Sequence, residues 1–339
     1  MTQLKTIILT ATYRIVTPMF CSGADQSAAE LRLPSFKGAL RFWWRAIEWG
    51  RFYQSAAGDV TAATSNLRAE EASLFGSSDV GQSRISLSCK WNTAAPDDSE
   101  LVRDWPPNKP PTGSAYLGFG ITESGRRDRN DLKPHRVGLP SEREFQVRCR
   151  LRHGVSSVDV ESLRRALQIL GFVGGLGSRS RRGFGSMAIT DLDGRSMSFT
   201  AVNDYQEAIS EIVKPTISAT EFPPYTAFSR NVRIAFLPLG SDAFKVHHDL
   251  GERYREFRGQ PGPHRGRTKT PLGLPLKDVD DVRRRSSPLL LHVHPIGGQF
   301  VATVLFMPSD FHPDIPQGRA LGFYEIVNTW MNELKGVAL

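Results

Sequence analysis

Gly174-Gly175-Leu176-Gly177-Ser178-Arg179-Ser180-Arg181-Arg182-Gly183-Phe184-Gly185 is the most informative stretch of this sequence. An amphipathic helix is expected just before it, over Asp159 to Phe172, because Leu163, Leu167 and Leu170 recur at spacings of 4 and 3. A strand is expected just after it, through Ile189. A dinucleotide-binding fold has the reverse order, with strand first and helix after the glycines. The third glycine of that fingerprint is also missing, its place being taken by Ser180, and no Gly-Lys-Ser/Thr triplet closes a P-loop. What remains is a set of glycines that let backbone N–H groups approach a ligand, with Arg179, Arg181 and Arg182 beside them. This is the chemistry of a polyphosphate cradle. A glycine-rich helix stop with solvated arginines is the plainer alternative.

Upstream, Leu4 to Val16 is rich in β-branched and aromatic residues and ends at Thr17-Pro18, so a strand is expected. A loop of small and polar residues, Cys21 to Glu30, follows. Phe36, Leu40, Trp43, Trp44 and Ile47 then fall on one helical face, with Ser35 as the expected N-cap, while Lys37, Arg41, Arg45 and Glu48 take another face. Tryptophans at this spacing read as core that would hold the basic face rigid. Strands are expected at Arg84 to Trp91, Tyr116 to Thr122 and Glu144 to Leu151. The resulting order is β, α, β-hairpin, α, Gly-rich loop, β. That is the split β-α-β plan of a ferredoxin-like, RRM-like α+β domain, expected to span residues 1–200.

Beyond residue 200 the alternation begins again. Helices are expected at Tyr205 to Val213, Ala243 to Phe257 and Arg319 to Leu334. Strands are expected at Asn231 to Leu237 and, paired across Gly297-Gly298, at Pro288 to His294 and Gln299 to Met307. A second, less regular domain of the same class is expected over 201–339. Arg258 to Ser287 is rich in Pro and Gly, with eight basic and three acidic residues, and predicts a mobile basic insertion.

The chain has 339 residues, a net charge of +8 and 40% hydrophobic residues, enough for buried cores. Thirty-three of its 43 basic residues are arginine, whose planar fork suits phosphates and bases. The first 199 residues carry a net +7, so the surplus belongs to the Gly-loop half. Three cysteines far apart, with no CxxC spacing, predict neither a disulfide framework nor a zinc site. Strand-sized apolar runs and the lack of a signal-peptide pattern predict a cytoplasmic protein without a membrane segment. His292 and His294 share a strand face, but no third metal ligand stands near them, so neither a metal nor another cofactor is expected.

Pro34-Ser35-Phe36-Lys37-Gly38-Ala39-Leu40-Arg41-Phe42-Trp43-Trp44-Arg45-Ala46, the Leu74-Phe75-Gly76 end of the following stretch, the loop Gly174 to Gly185, and Arg285-Ser286-Ser287-Pro288-Leu289 together resemble a known family. It is that of the first subunits of the type III-B CRISPR (Cmr) effector complex, RAMP proteins of antiviral defence. The resemblance implies two ferredoxin-like domains and a non-catalytic, RNA-binding structural subunit at the filament end distal to the guide's 5′ tag. It also implies guide RNA, target RNA and other RAMP subunits as partners. By position, Lys37, Arg41 and Arg45 correspond to the family's basic helix, and Arg179, Arg181 and Arg182 to its loop. Gly174, Gly175, Gly177 and Gly183 join them as expected RNA-binding positions. Two rivals stand beside this reading. One is a RAMP ribonuclease, using Asp25 to hold Mg²⁺ or organise 2′-OH attack, or using a histidine base. The other is a scaffold without direct RNA contact.

Overall fold

The computed structural model describes residues 6–25, 27–92, 94–102, 113–121, 136–152, 154–220, 222–259, 266–276, 279 and 283–339. In chain order the elements are β1 (Ile7–Ile15), α1 (Leu33–Ser55), α2 (Val60–Phe75), β2 (Ile85–Trp91), α3 (Gly113–Leu117), β3 (Glu144–Leu151), α4 (Ser157–Val173), β4 (Met187–Leu192) and β5 (Arg195–Ser196). There follow α5 (Val202–Val213), β6 (Arg233–Phe236), α6 (Ala243–Gly259), β7 (Leu289–Ile296), β8 (Gln299–Phe306), α7 (Glu325–Glu333) and β9 (Val337–Ala338).

These make an α+β molecule with two antiparallel sheets, ordered β2-β3-β1-β4-β5 and β7-β8-β6-β9. In both sheets the first strand of the unit lies between the third and the fourth, the order that a split β-α-β unit produces. In the first, β1 pairs with β3 from Ile7↔Leu151 to Arg14↔Glu144, and β2 pairs with β3 from Ile85↔Leu151 to Trp91↔Phe145. The inward residues Leu9, Ala11, Tyr13, Phe145, Val147 and Cys149 meet α1 and α4 in one core. Trp44 and Trp49 are fully buried there and Trp43 almost so, as the spacing of the helix requires. Trp44 donates its indole N–H to Ser162 Oγ at 2.8 Å, and Tyr13 donates to Leu167 O at 2.9 Å, so the polar tips of both rings are satisfied.

Side chains from the two sides of residue 200 mix. Tyr205 and Ile209 of α5, with Ile234, Leu290 and Leu305, sit in the core of the first sheet. Val16, Phe20, Phe184 and Ala188 sit in the core built on α6 and α7. Among the described residues no helix is long and apolar enough to cross a membrane.

Three expectations change. Ser35 does not cap α1; the helix starts at Leu33 after Arg32, with Pro34 in its first turn, where the missing N–H costs nothing. The expected strand at Tyr116 to Thr122 is instead the short helix α3 and the turn after it, as far as Ile121. Its backbone lies directly on α6: a Cβ on Gly113 would stand 2.0 Å from His248 O, and one on Gly251 would stand 2.2 Å from Gly113 O. Leu117 and Ile121, one helical turn apart, fill the second core, and that burial overrides the local β pattern. In the basic stretch Arg258 to Ser287, Gly266–Leu272 forms a 3₁₀ turn with Thr270, Pro271 and Leu272 buried, and Leu274 bridges Arg285, so this part is packed. Residues 260–265, 277, 278 and 280–282 of that stretch, and 103–112 and 122–135 of the earlier loops, lie outside the described residues.

Candidate nucleic-acid interface

The Gly-rich loop runs from the end of α4 to the start of β4 and is wedged between the two sheets. Close packing explains its glycines. Gly174 ends α4, and a Cβ there would stand 2.6 Å from Trp43 Nε1. Gly177, at φ +89°, would put a Cβ 2.6 Å from Phe20 O; Gly183, at φ +78°, would put one 2.9 Å from His247. Gly175 is bridged to Ser186 across the loop. Several amides expected to face a ligand are bonded internally. Leu176 N donates to Gly185 O, Ser178 N to Phe20 O, Arg182 N to Arg179 O and Gly185 N to Pro18 O, at 2.7–2.9 Å. Those four are not part of a phosphate cradle.

Two buried histidines hold the loop at its ends. His292 Nδ1 lies 2.8 Å from Gly174 O and His247 Nε2 lies 2.9 Å from Arg182 O. A carbonyl only accepts, so each imidazole donates there. His247 Nδ1 is then left to accept from Ser114 Oγ at 2.9 Å, and His292 Nε2 to accept from His294 Nδ1 at 3.3 Å. Burial pushes His247 down to about 4 and His292 down to about 3, so both are neutral. They are structural staples that the sequence, with histidines scattered far from the loop, gave no reason to connect to it.

The three loop arginines have different surroundings. Arg179, in the left-handed conformation at φ +60°, is exposed. Partial burial, then Arg182 and Arg136, hold its guanidinium below the ordinary value. Arg181 stacks over Phe42 of α1 at 5.1 Å and donates to Ser287 O at 2.9 Å, joining the first helix to the second half of the molecule. Burial, with Arg285 and Arg182 close by, lowers it to about 10. Arg182 lies 4.7 Å from the centre of the Tyr254 ring. Among the described residues no carboxylate pairs with any of the three. Arg136, which the sequence did not single out, donates to Ser178 Oγ at 2.5 Å. Beside it an open cleft of about 390 Å³ runs between the loop, the start of α1 at Ser35 and Ala39, and residues 20–22.

The α1 cations are arranged otherwise. Arg41 and Arg45 both reach Oε1 of Glu71 on α2, a carboxylate with only 4% of its side chain exposed. Arg41 also reaches Gly76 O, at 3.4 Å. One turn along, Glu48 is equally buried and takes Arg51 at 2.5 Å and Arg165 at 2.9 Å. Each glutamate is shared by two arginines, so each cluster keeps one positive charge in excess. Lys37 is half-buried, and burial, then Arg41, lower its ammonium while Cys149 acts the other way. Loop and helix are in contact through Phe42 and Trp43, but Arg41 and Arg45 are turned to α2. Asp25 is exposed and accepts from Ser27 N and Oγ at 2.8 and 2.6 Å, which lowers its carboxyl. Among the described residues no group of three potential metal ligands occurs.

The RAMP superfamily profile matches residues 12–188, more than half of the chain. The CRISPR system Cmr subunit Cmr1-1 of Pyrococcus furiosus is 27% identical over 307 residues, 84% of this chain and 83% of that protein. Cmr1-2 of the same organism is 27% identical over 179 residues, 51% of this chain and 90% of its own length. The crystal structure of apo Cmr1 from Pyrococcus furiosus covers 98% of both chains with a TM-score of 0.62 at 21% identity. A chain in the cryo-EM structure of the type III-B Cmr-beta bound to cognate target RNA and AMPPnP covers 96% of this chain and 100% of its own, with a TM-score of 0.60 at 11% identity. Both structural likenesses are likenesses of fold.

Proposed function

The chain belongs to the RAMP superfamily, and from that premise we propose that it is an RNA-binding structural subunit of a type III-B CRISPR (Cmr) ribonucleoprotein. It would bind guide and target RNA beside other RAMP subunits, in the cytoplasm, through two ferredoxin-like domains of residues 1–200 and 201–339. The observation that carries this reading is the group Arg136, Arg179 and Arg182. Arg182 and Arg136 stand close enough to Arg179 to help lower it, and none of the three has a carboxylate partner among the described residues. Holding like charges together costs free energy that an external polyanion recovers. α1 adds Lys37 and the surplus charge of the Arg41–Arg45–Glu71 cluster at the flank. The packed loop glycines Gly174, Gly175, Gly177 and Gly183 fix where the arginines emerge. Contacts of this kind read phosphates, leaving sequence to base pairing with the guide.

No catalytic role is assigned. The buried histidines are neutral and already bonded, and Asp25 is tied to Ser27 in an exposed turn. Titration of the full chain with labelled single-stranded RNA over a salt series tests the reading. If about five phosphates are neutralised, the log–log slope is about −3.5. A flat dependence, or no binding, favours the scaffold instead.

A further inference from the structure

The first sheet has a second face, away from α1 and α4, and there its second strand, β3, carries a basic ladder with no ion pair among the described residues. Along β3, Phe145, Val147, Cys149 and Leu151 are buried, whereas Arg148, Arg150 and the next residue, Arg152, are exposed on the other side. The cross-strand neighbours of the first two are neutral: Arg148 lies between Ser88 of β2 and Thr10 of β1, and Arg150 lies between Ser86 and Ile8, while the backbone of Arg152 bonds to Arg84 O. Lys90, also exposed, extends the same face on β2. Among the described residues none of these four cations has an ion pair. A glutamate opposite an arginine is the inexpensive way to stabilise such a ladder, and here serine, threonine and isoleucine stand in those places.

We propose that this open face is a second RNA contact, in which Arg148, Arg150 and Arg152, helped by Lys90, hold successive phosphates of a ribose-phosphate backbone. Side chains on alternate residues of a strand are about 6.8 Å apart, on the order of the separation of neighbouring phosphates in an extended strand. The low serine and threonine bed lets a backbone approach closely and adds hydroxyl donors. The aromatic residue of β2, Trp91, packs against the helix-side core, so the face grips phosphates without stacking bases. An acidic protein surface is the competing occupant, but the regular single-file spacing of forked donors fits a strand of evenly spaced anions better.

This inference rests on the RNA-binding reading, and the experiment separates the two. Wild type, R179A and R148A/R150A/R152A, each as the full chain, are titrated with labelled single-stranded RNA across a salt series, and with polyglutamate as a second probe. Loss of three phosphate contacts makes the slope shallower by about 2, with melting temperature unchanged because the side chains are exposed. R150E alone, which needs no triple change, weakens binding more than R150A. If wild type and R179A differ but the triple variant binds RNA like wild type, the sheet proposal falls and the loop reading stands. If wild type does not bind RNA, both fall. If the triple variant loses polyglutamate binding but keeps RNA binding, the face is a protein-docking surface and the proposal is overturned.

Discussion

The arginines on α1 and those in the Gly-rich loop are the same chemical group in opposite circumstances. Around α1 the pairs Arg41–Arg45 and Arg51–Arg165, the last of these from α4, each converge on one buried glutamate. In the loop, Arg179 and Arg182 neighbour other arginines and an aromatic ring. A basic residue counted from sequence is therefore not yet a basic residue available to RNA. What decides is whether the fold has already supplied its anion.

The largest effect is expected at the buried carboxylates. Glu48→Ala leaves Arg51 and Arg165 facing each other, at a cost of about 3 kcal/mol; the low end of the range applies because both guanidiniums are partly wet. Chemical denaturation measures it, and a loss below about 1 kcal/mol would mean that α1 is not held by these pairs. Glu71→Gln sharpens the comparison from the other side. It releases Arg41 and Arg45, so RNA affinity rises at low salt even as stability falls.

Next comes Arg181. Arg181→Ala removes a hydrogen bond to Ser287 O and the contact with Phe42, a loss of about 1–2 kcal/mol. Arg179→Ala leaves the melting temperature unchanged. Equal melting temperatures for the two variants would erase the distinction between a clamping and an exposed arginine.

The histidine staples give a pH signature. Their folded values, about 4 and about 3, lie below the unfolded value near 6.5. Their contribution is complete above pH 6.5 and is lost as pH falls, because the unfolded chain takes up the protons first. Stability drops by about 1.4 kcal/mol per pH unit for each histidine between pH 6 and 4. Denaturation at pH 7.5 and pH 5 follows the loss, and His247→Gln lessens it. The smallest effect is at Asp25, whose alanine variant keeps both stability and RNA affinity.

Much of the frame was legible because it follows from period. The Phe36 to Ile47 stripe is buried as its spacing requires, and the strands at 85–91, 144–151 and 289–306 fall where alternation or apolar runs put them. α3 was not legible, since its β-like residues turn helical only when Gly113 meets Gly251 of α6, a contact far along the chain. For the site, the sequence located the loop but not its wiring. Nothing local marks Glu71 as the partner of Arg41 and Arg45 or Glu48 as that of Arg51 and Arg165, Arg136 lies 42 residues before Ser178, and His247 and His292 lie far from the glycines they hold. Such long-range pairings carry no local signal.

The central claim is tested most directly by the salt dependence of RNA affinity for R179A against R45A. The account predicts that R179A makes the log–log slope shallower by about 0.7 at an unchanged melting temperature, while R45A lowers the melting temperature and moves the slope less. The reverse pattern, with the slope governed by Arg45 and indifferent to Arg179, would contradict it.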